Sequence, residues 1–121
     1  MKILVVDDSK AMRMIVMRTL RQAGFGEHTI EEAGNGLEAL KNIEQKPADL
    51  ILCDWNMPEM NGIDLLKKLR ETGNGVKFGF VTSEGNPEMR QIALDAGAAF
   101  LITKPFTVDA FQGALQPVLA S

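Results

Sequence analysis

The chain has 121 residues, 45% of them apolar and 24% charged, with a formal net charge of −3. That is one domain of ordinary size with enough apolar material for a core, which excludes an intrinsically disordered chain. The acidic balance offers no basic face for nucleic acid, no apolar stretch reaches the length of a membrane span, and the single cysteine, Cys53, has no partner for an internal disulfide.

Short β-rich runs alternate with amphipathic segments. Ile3–Val6 reads as a first strand, and its position leaves no room for a signal peptide, so a cytoplasmic protein is expected. Met12, Ile15, Val16, Thr19 and Leu20 recur at helical spacing, with Ser9 as N-cap and Gly24 as the stop. His28–Ala33 is a second strand. Asn35-Gly36 opens a helix carrying Leu37, Leu40 and Ile43 that closes before Pro47. Leu50–Cys53 is apolar throughout, as a strand covered on both faces should be. Asn61–Arg70 is a helix with Ile63, Leu66 and Leu69 inward. Phe78–Thr82 is a fourth strand, in which Gly79 marks a close backbone approach. Pro87–Ala96 is a helix capped by Asn86 and Gly97, Phe100–Thr103 is the fifth strand, and Thr107 starts a last helix that Pro117 should end or kink. Five such βα units with short connections predict a single α/β domain over residues 1–121, a parallel sheet covered by helices on both faces, and no attached output domain.

Polar residues end the apolar runs. Asp7 and Asp8 follow the first strand, Asp54 the third, and Lys104 the fifth, while Thr82 closes the fourth. In an open parallel sheet the carboxyl ends of the strands meet at one edge and form the ligand crevice. Clustered carboxylates repel one another unless a cation sits among them, so a hard metal ion such as Mg²⁺ is expected. A carboxylate there can act as a nucleophile toward phosphorus, with cationic groups stabilising the phosphoryl oxygens. The other conspicuous residues read blandly. Met12 and Met60 fill core gaps or line loops, Cys53 is a buried inert thiol, His28 has no catalytic role, and Gly24, Gly62 and Gly97 are turn or cap residues.

The chain resembles the receiver domain of two-component response regulators, in particular the single-domain chemotaxis type, over its whole length. The resemblance rests on Val5-Val6-Asp7-Asp8-Ser9, on Asp54-Trp55-Asn56-Met57-Pro58-Glu59-Met60-Asn61-Gly62, on Val81-Thr82-Ser83-Glu84, on Ala96-Gly97-Ala98 and on Lys104-Pro105-Phe106-Thr107, in that order. It implies a flavodoxin-like sheet of five parallel strands in the order 2-1-3-4-5 with five helices on its two faces. It implies Asp54 as phosphoacceptor from a sensor histidine kinase, and Asp7, Asp8, Asp54 and the Asn56 carbonyl as the Mg²⁺ pocket. Thr82 and Lys104 read out the phosphate, Asn56 and Glu84 tune autodephosphorylation, and the Lys104-Pro105 bond is cis. The same side-chain types as in chemotaxis regulators at Asn56 and Glu84 predict a phosphoryl lifetime of seconds to minutes. No enzymatic activity is implied beyond the domain's own phosphorylation and dephosphorylation.

Two departures stand out. Many receivers carry an aromatic residue three positions before the strand-end lysine, where this chain has Leu101. A Thr82-centred loop shift with Leu101 or Phe106 repacking is expected in its place. The partner surface, expected to include Phe111 with Val108, Gln112 and Gln116, carries only Asp109 as charge, so the downstream target, with the flagellar motor switch as the candidate, is less sharply implied than the phosphoryl chemistry. A receiver in another pathway or a phosphate sink would share these residues. A haloacid-dehalogenase-type phosphatase would need an aspartate where Asn56 stands. An FMN carrier would need a phosphate-cradling loop where Asp7-Asp8 stands.

Overall fold

The computed structural model describes residues 1–119. Five strands, β1 (Lys2–Val6), β2 (Thr29–Ala33), β3 (Leu50–Cys53), β4 (Lys77–Thr82) and β5 (Phe100–Thr103), form one parallel sheet in the order β2-β1-β3-β4-β5. The helices are α1 (Lys10–Leu20), α2 (Gly36–Gln45), α3 (Gly62–Glu71), α4 (Pro87–Asp95) and α5 (Val108–Leu119). Among the described residues, no helix is long and apolar enough to cross a membrane.

Each helix starts on a side-chain cap in the loop that follows a strand, which supplies an acceptor to amides the helix itself leaves unpaired. Ser9 Oγ accepts from the Met12 amide at 3.2 Å, and Asn35, Asn61 and Asn86 accept from the amides of Glu38, Asp64 and Met89 at 2.8–2.9 Å. Thr107 Oγ1 accepts from the Ala110 amide at 3.1 Å. After Leu20 the chain makes one wider turn, Arg21–Phe25, and leaves it through Gly24 at φ 98°, a conformation that favours glycine.

Alternation along the strands divides the core in two. Leu4, Val6, Ile51, Cys53, Phe78, Phe80 and Leu101 face α2, α3 and α4, through Ala39, Ile43, Ile63, Leu65, Leu66, Leu69 and Ala93. Ile3, Val5, Leu50, Leu52, Val81 and Ile102 face α1 and α5, through Val16, Leu20, Phe111 and Leu115. The amino-terminal edge of the sheet is locked by Lys2. Its buried ammonium donates to Asn42 Oδ1 and to the Lys46 carbonyl (2.8 Å) and pairs with Glu31 (3.5 Å), while its amide donates to Asp49 (2.7 Å). Lys46 caps the carboxyl end of α2, so the charge also meets the negative end of that helix. The opposite edge is left for chemistry.

Several expectations are corrected. Phe111 is fully buried and does not belong to a partner surface. It lies four residues before Leu115, so both fall on the inward line of α5, and its ring packs on Phe106 with centroids 4.6 Å apart. Gly79 marks the approach of a side chain rather than of backbone: the Phe100 ring from the neighbouring strand occupies the space a Cβ would take. Pro117 does not end α5, which continues to Leu119. Its missing amide hydrogen leaves the Gly113 carbonyl without its helical donor, at a place where both residues are exposed and the loss costs little. Leu37 is 44% exposed because the inward line of α2 runs through Gly36, Ala39 and Ile43, and Leu37 is turned about 100° from Gly36. Ile15 is likewise exposed beside an inward line of Val16, Thr19 and Leu20.

Candidate functional site

The ladder hydrogen bonds continue one residue past the strands and carry the polar side chains to a common edge. The Asp7 amide donates to Ala33 O (3.1 Å), the Asp54 amide to Val6 O (2.9 Å) and the Lys104 amide to Thr82 O (2.8 Å). Asp7, Asp8 and Asp54 thereby bring one carboxylate oxygen each within 4.8 Å of one another. Lys104 Nζ reaches Asp7 Oδ2 at 3.2 Å and Asp54 Oδ1 at 3.7 Å. Asp7 Oδ1 accepts from the Ser9 amide (2.9 Å), an Asx turn, and Asp54 Oδ1 accepts from the Trp55 amide (2.8 Å). The other oxygen of Asp54, Oδ2, has no partner among the described residues, and since no buried side-chain oxygen lacks one, it is open to solvent.

The charge balance is uneven: three carboxylates share one ammonium. Burial pushes the Asp54 carboxyl above its ordinary value of 3.8, with Asp7 and Asp8 pushing the same way, while Lys104 and the Trp55 amide pull it down. The donor set is all oxygen and net negative, which suits a hard cation such as Mg²⁺. Burial also pushes the neighbouring Cys53 thiol well up, with Asp54 and Asp7 adding to it, as an inert core cysteine requires.

The structure thus gathers Asp7, Asp8, Asp54 and Lys104. Thr82 is fully buried at the end of β4, its Oγ1 accepting from the Glu84 amide at 3.3 Å. Asn56 and Glu84 are exposed, two residues beyond Asp54 and Thr82. Leu101 is buried in the core that faces α2–α4, whereas Phe100 packs on the opposite face of the sheet. Phe106 is half-buried beside the Lys104-Pro105 bond, which is cis. Met12 and Met60 are half-buried against the two cores. Sequence reasoning missed Arg13, whose Nη1 donates to the Asp7 carbonyl at 2.6 Å; a cation one helical turn past the Ser9 cap was the available signal.

The loop after β3 holds the one non-glycine residue with positive φ among those described, Glu59 at 69°. The Met60 amide turns back to the Pro58 carbonyl at 2.7 Å, closing a tight turn centred on Glu59. A side chain in that region costs about 1 kcal/mol that glycine does not incur. Glu59→Gly is therefore expected to be neutral or stabilising, by up to roughly 1 kcal/mol after the extra entropy of the unfolded chain is counted. A urea midpoint shift at unchanged slope measures it, and a clear loss of stability would contradict the strain.

Five parallel strands in this order, with acids and a lysine at their carboxyl edge, define a flavodoxin-like regulatory domain. The model of the response regulator receiver domain matches residues 3–116, and the chain belongs to that family of two-component signalling proteins. Chemotaxis protein CheY1 of Helicobacter pylori is 39% identical over 124 residues, covering 100% of this chain and 98% of the relative. Chemotaxis protein CheY-3 of Vibrio cholerae is 43% identical over 109 residues, covering 88% of this chain and 82% of the relative. The crystal structure of chemotaxis protein CheY4 of Vibrio cholerae superposes with a TM-score of 0.84 at 34% identity, over 97% of each chain.

Proposed function

We propose that this receiver is a phosphorylation-activated switch in the cytoplasm, with Asp54 as the phosphoacceptor. The single observation that carries the reading is Asp54 itself. One oxygen is held by Lys104 and the Trp55 amide, while Oδ2 points to no protein donor and is open to solvent. In the proposed step Asp54 Oδ2 attacks phosphorus of a phosphohistidine on a sensor kinase. The O–P bond forms, the P–N bond breaks with its electron pair going to the imidazole nitrogen, and the imidazole takes up a proton. Asp7, Asp8 and Asp54, with the Asn56 carbonyl, would hold Mg²⁺, which supplies positive charge to the phosphoryl oxygens.

Lys104 is already at the acceptor, so it exchanges one carboxylate oxygen for a phosphoryl oxygen with a small movement. The Thr82 hydroxyl donates to the same group, and its movement draws on the loop after β4, with Leu101 or Phe106 repacking. Asn56 and Glu84, exposed at the mouth, govern water access and keep the lifetime at seconds to minutes. The output is binding to a downstream protein, and the chemotaxis relatives favour the flagellar motor switch as that partner.

Acetyl phosphate with Mg²⁺ tests the chemistry. Wild type is expected to gain the mass of one phosphoryl group and to change its Trp55 fluorescence reversibly, whereas Asp54→Asn does neither. Uptake retained by Asp54→Asn would overturn the assignment. Pull-downs of motor-switch protein with and without a phosphoryl mimic test the partner, and equal capture in both states would count against a phosphorylation-dependent output.

A further inference from the structure

We propose that Arg13 is a positioning residue for the cation site, acting through the Asp7–Asp8 peptide; the proposal rests on the receiver reading of that site. Arg13 stands one turn into α1, its own amide bonded to the Ser9 carbonyl at 3.0 Å. Its guanidinium is a fork with two fixed ends. Nη1 donates to the Asp7 carbonyl at 2.6 Å, and Nε donates to Glu32 Oε1 of β2 at 2.9 Å. The side chain is only 15% exposed and its bond to the Asp7 carbonyl is partly buried, whereas the Glu32 end of the fork lies at the surface.

The geometry at Asp7 gives the clamp its consequence. Asp7 is held at every other polar group: its amide by Ala33 O, Oδ1 by the Ser9 amide and Oδ2 by Lys104. Its carbonyl lies past the last residue of β1, where the sheet no longer supplies a donor, and Arg13 supplies one instead. That carbonyl belongs to the peptide joining Asp7 to Asp8, so fixing it fixes the plane from which the Asp8 side chain leaves. The Asp8 side chain is exposed and makes no hydrogen bond or ion pair among the described residues, yet its carboxylate lies within the three-acid cluster. Nothing but the backbone aims it there. Arg13 therefore pre-orders the one acid that has no side-chain partner.

Orientation and charge make opposite predictions for this residue, which is what makes the proposal testable. An arginine near a cation site repels the cation, so removing its charge should by itself tighten binding. Removing an orienting hydrogen bond behind a ligand weakens binding, on the order of tenfold. The experiment is a Mg²⁺ titration of the full chain in the absence of any phosphodonor, followed by Trp55 fluorescence and by calorimetry, on wild type, Arg13→Gln and Arg13→Lys. Melting temperatures are recorded alongside. Arg13→Gln is expected to weaken Mg²⁺ about tenfold while remaining folded at the assay temperature. Arg13→Lys, which can reach the carbonyl but not both partners with one planar fork, should recover part of the loss.

Affinity in Arg13→Gln equal to or tighter than wild type overturns the proposal, even if its melting temperature falls, since that pattern is a purely structural arginine. Should Arg13→Gln fail to fold, Arg13→Lys decides: a loss supports the proposal and wild-type affinity overturns it. If wild type itself shows no Mg²⁺ response, the receiver reading of the site fails and the proposal falls with it, an outcome distinct from a response in wild type that Arg13→Gln leaves intact.

Discussion

Gly62→Ala is expected to destabilise the domain by about 2–4 kcal/mol and to abolish phosphoryl uptake. A Cβ on Gly62 would run into the Asp54 carbonyl oxygen and would sit 2.9 Å from the Phe80 ring. Neither neighbour can yield cheaply. The carbonyl is backbone immediately after β3, and the Gly62 amide is tied to the Trp55 carbonyl at 2.8 Å. Phe80 is fully buried, with Trp55 at 4.8 Å and Phe78 at 5.1 Å between ring centroids. The clash therefore moves Asp54 or opens the core, and displacement of the acceptor carboxylate forfeits the alignment that in-line transfer needs. Urea unfolding and acetyl phosphate labelling measure the two losses. Gly75→Ala is the control, because a Cβ there meets nothing within 4 Å, and it should stay within about 0.5 kcal/mol of wild type. A Gly62→Ala protein as stable as that control would show that the loop after β3 adjusts without strain.

The contrast between Gly62 and Asp54 explains what was legible in the sequence. Strand ends could be read because an apolar run stops at a definite residue, so Asp54, Lys104 and the Asp7-Asp8 pair declared their positions without any knowledge of contacts. The strand order came from resemblance and agrees with the observed sheet. The helix starts were legible for the same local reason, since Asn35, Asn86 and Ser9 advertise capping chemistry within four residues. Gly62 looked like a turn residue because its constraint comes from Asp54 and from Phe80, eighteen residues later and on another strand. Gly79 and Phe100 depend in the same way on the register of two strands. Phe111 was misplaced because the partner surface was assigned to the last helix as a whole, although Val108, Phe111, Ala114, Leu115 and Val118 recur at helical spacing and mark one inward stripe. Arg13 was missed because the partner that ties it to the site is a main-chain carbonyl, so only its place one turn past the Ser9 cap pointed to it.

Asp54→Asn is expected to melt a few degrees above wild type near pH 7 in metal-free buffer, although it removes the proposed acceptor. Burial, together with the charges of Asp7 and Asp8, raises the Asp54 carboxyl above 3.8 against the opposing pull of Lys104 and the Trp55 amide. An acid whose folded value is raised favours the protonated folded state. The resulting stability is fully present below the unfolded value and is lost as pH rises through the folded one. Wild type therefore carries a penalty at neutral pH that asparagine, neutral at every pH, does not. The gap in melting temperature should shrink as pH falls toward 3.8 and below, with each kcal/mol worth roughly 3–6 °C in a domain of this size. Added Mg²⁺ should narrow the gap from the other side at pH 7, because a cation that binds the folded three-carboxylate site stabilises wild type by mass action and the two-carboxylate variant less. Thermal melts from pH 3.5 to pH 8, with chelator and then with Mg²⁺, give all three comparisons. A variant that melts below wild type at neutral pH, or a gap that widens on acidification, would mean that Lys104 already balances the cluster and that the acids need no cation.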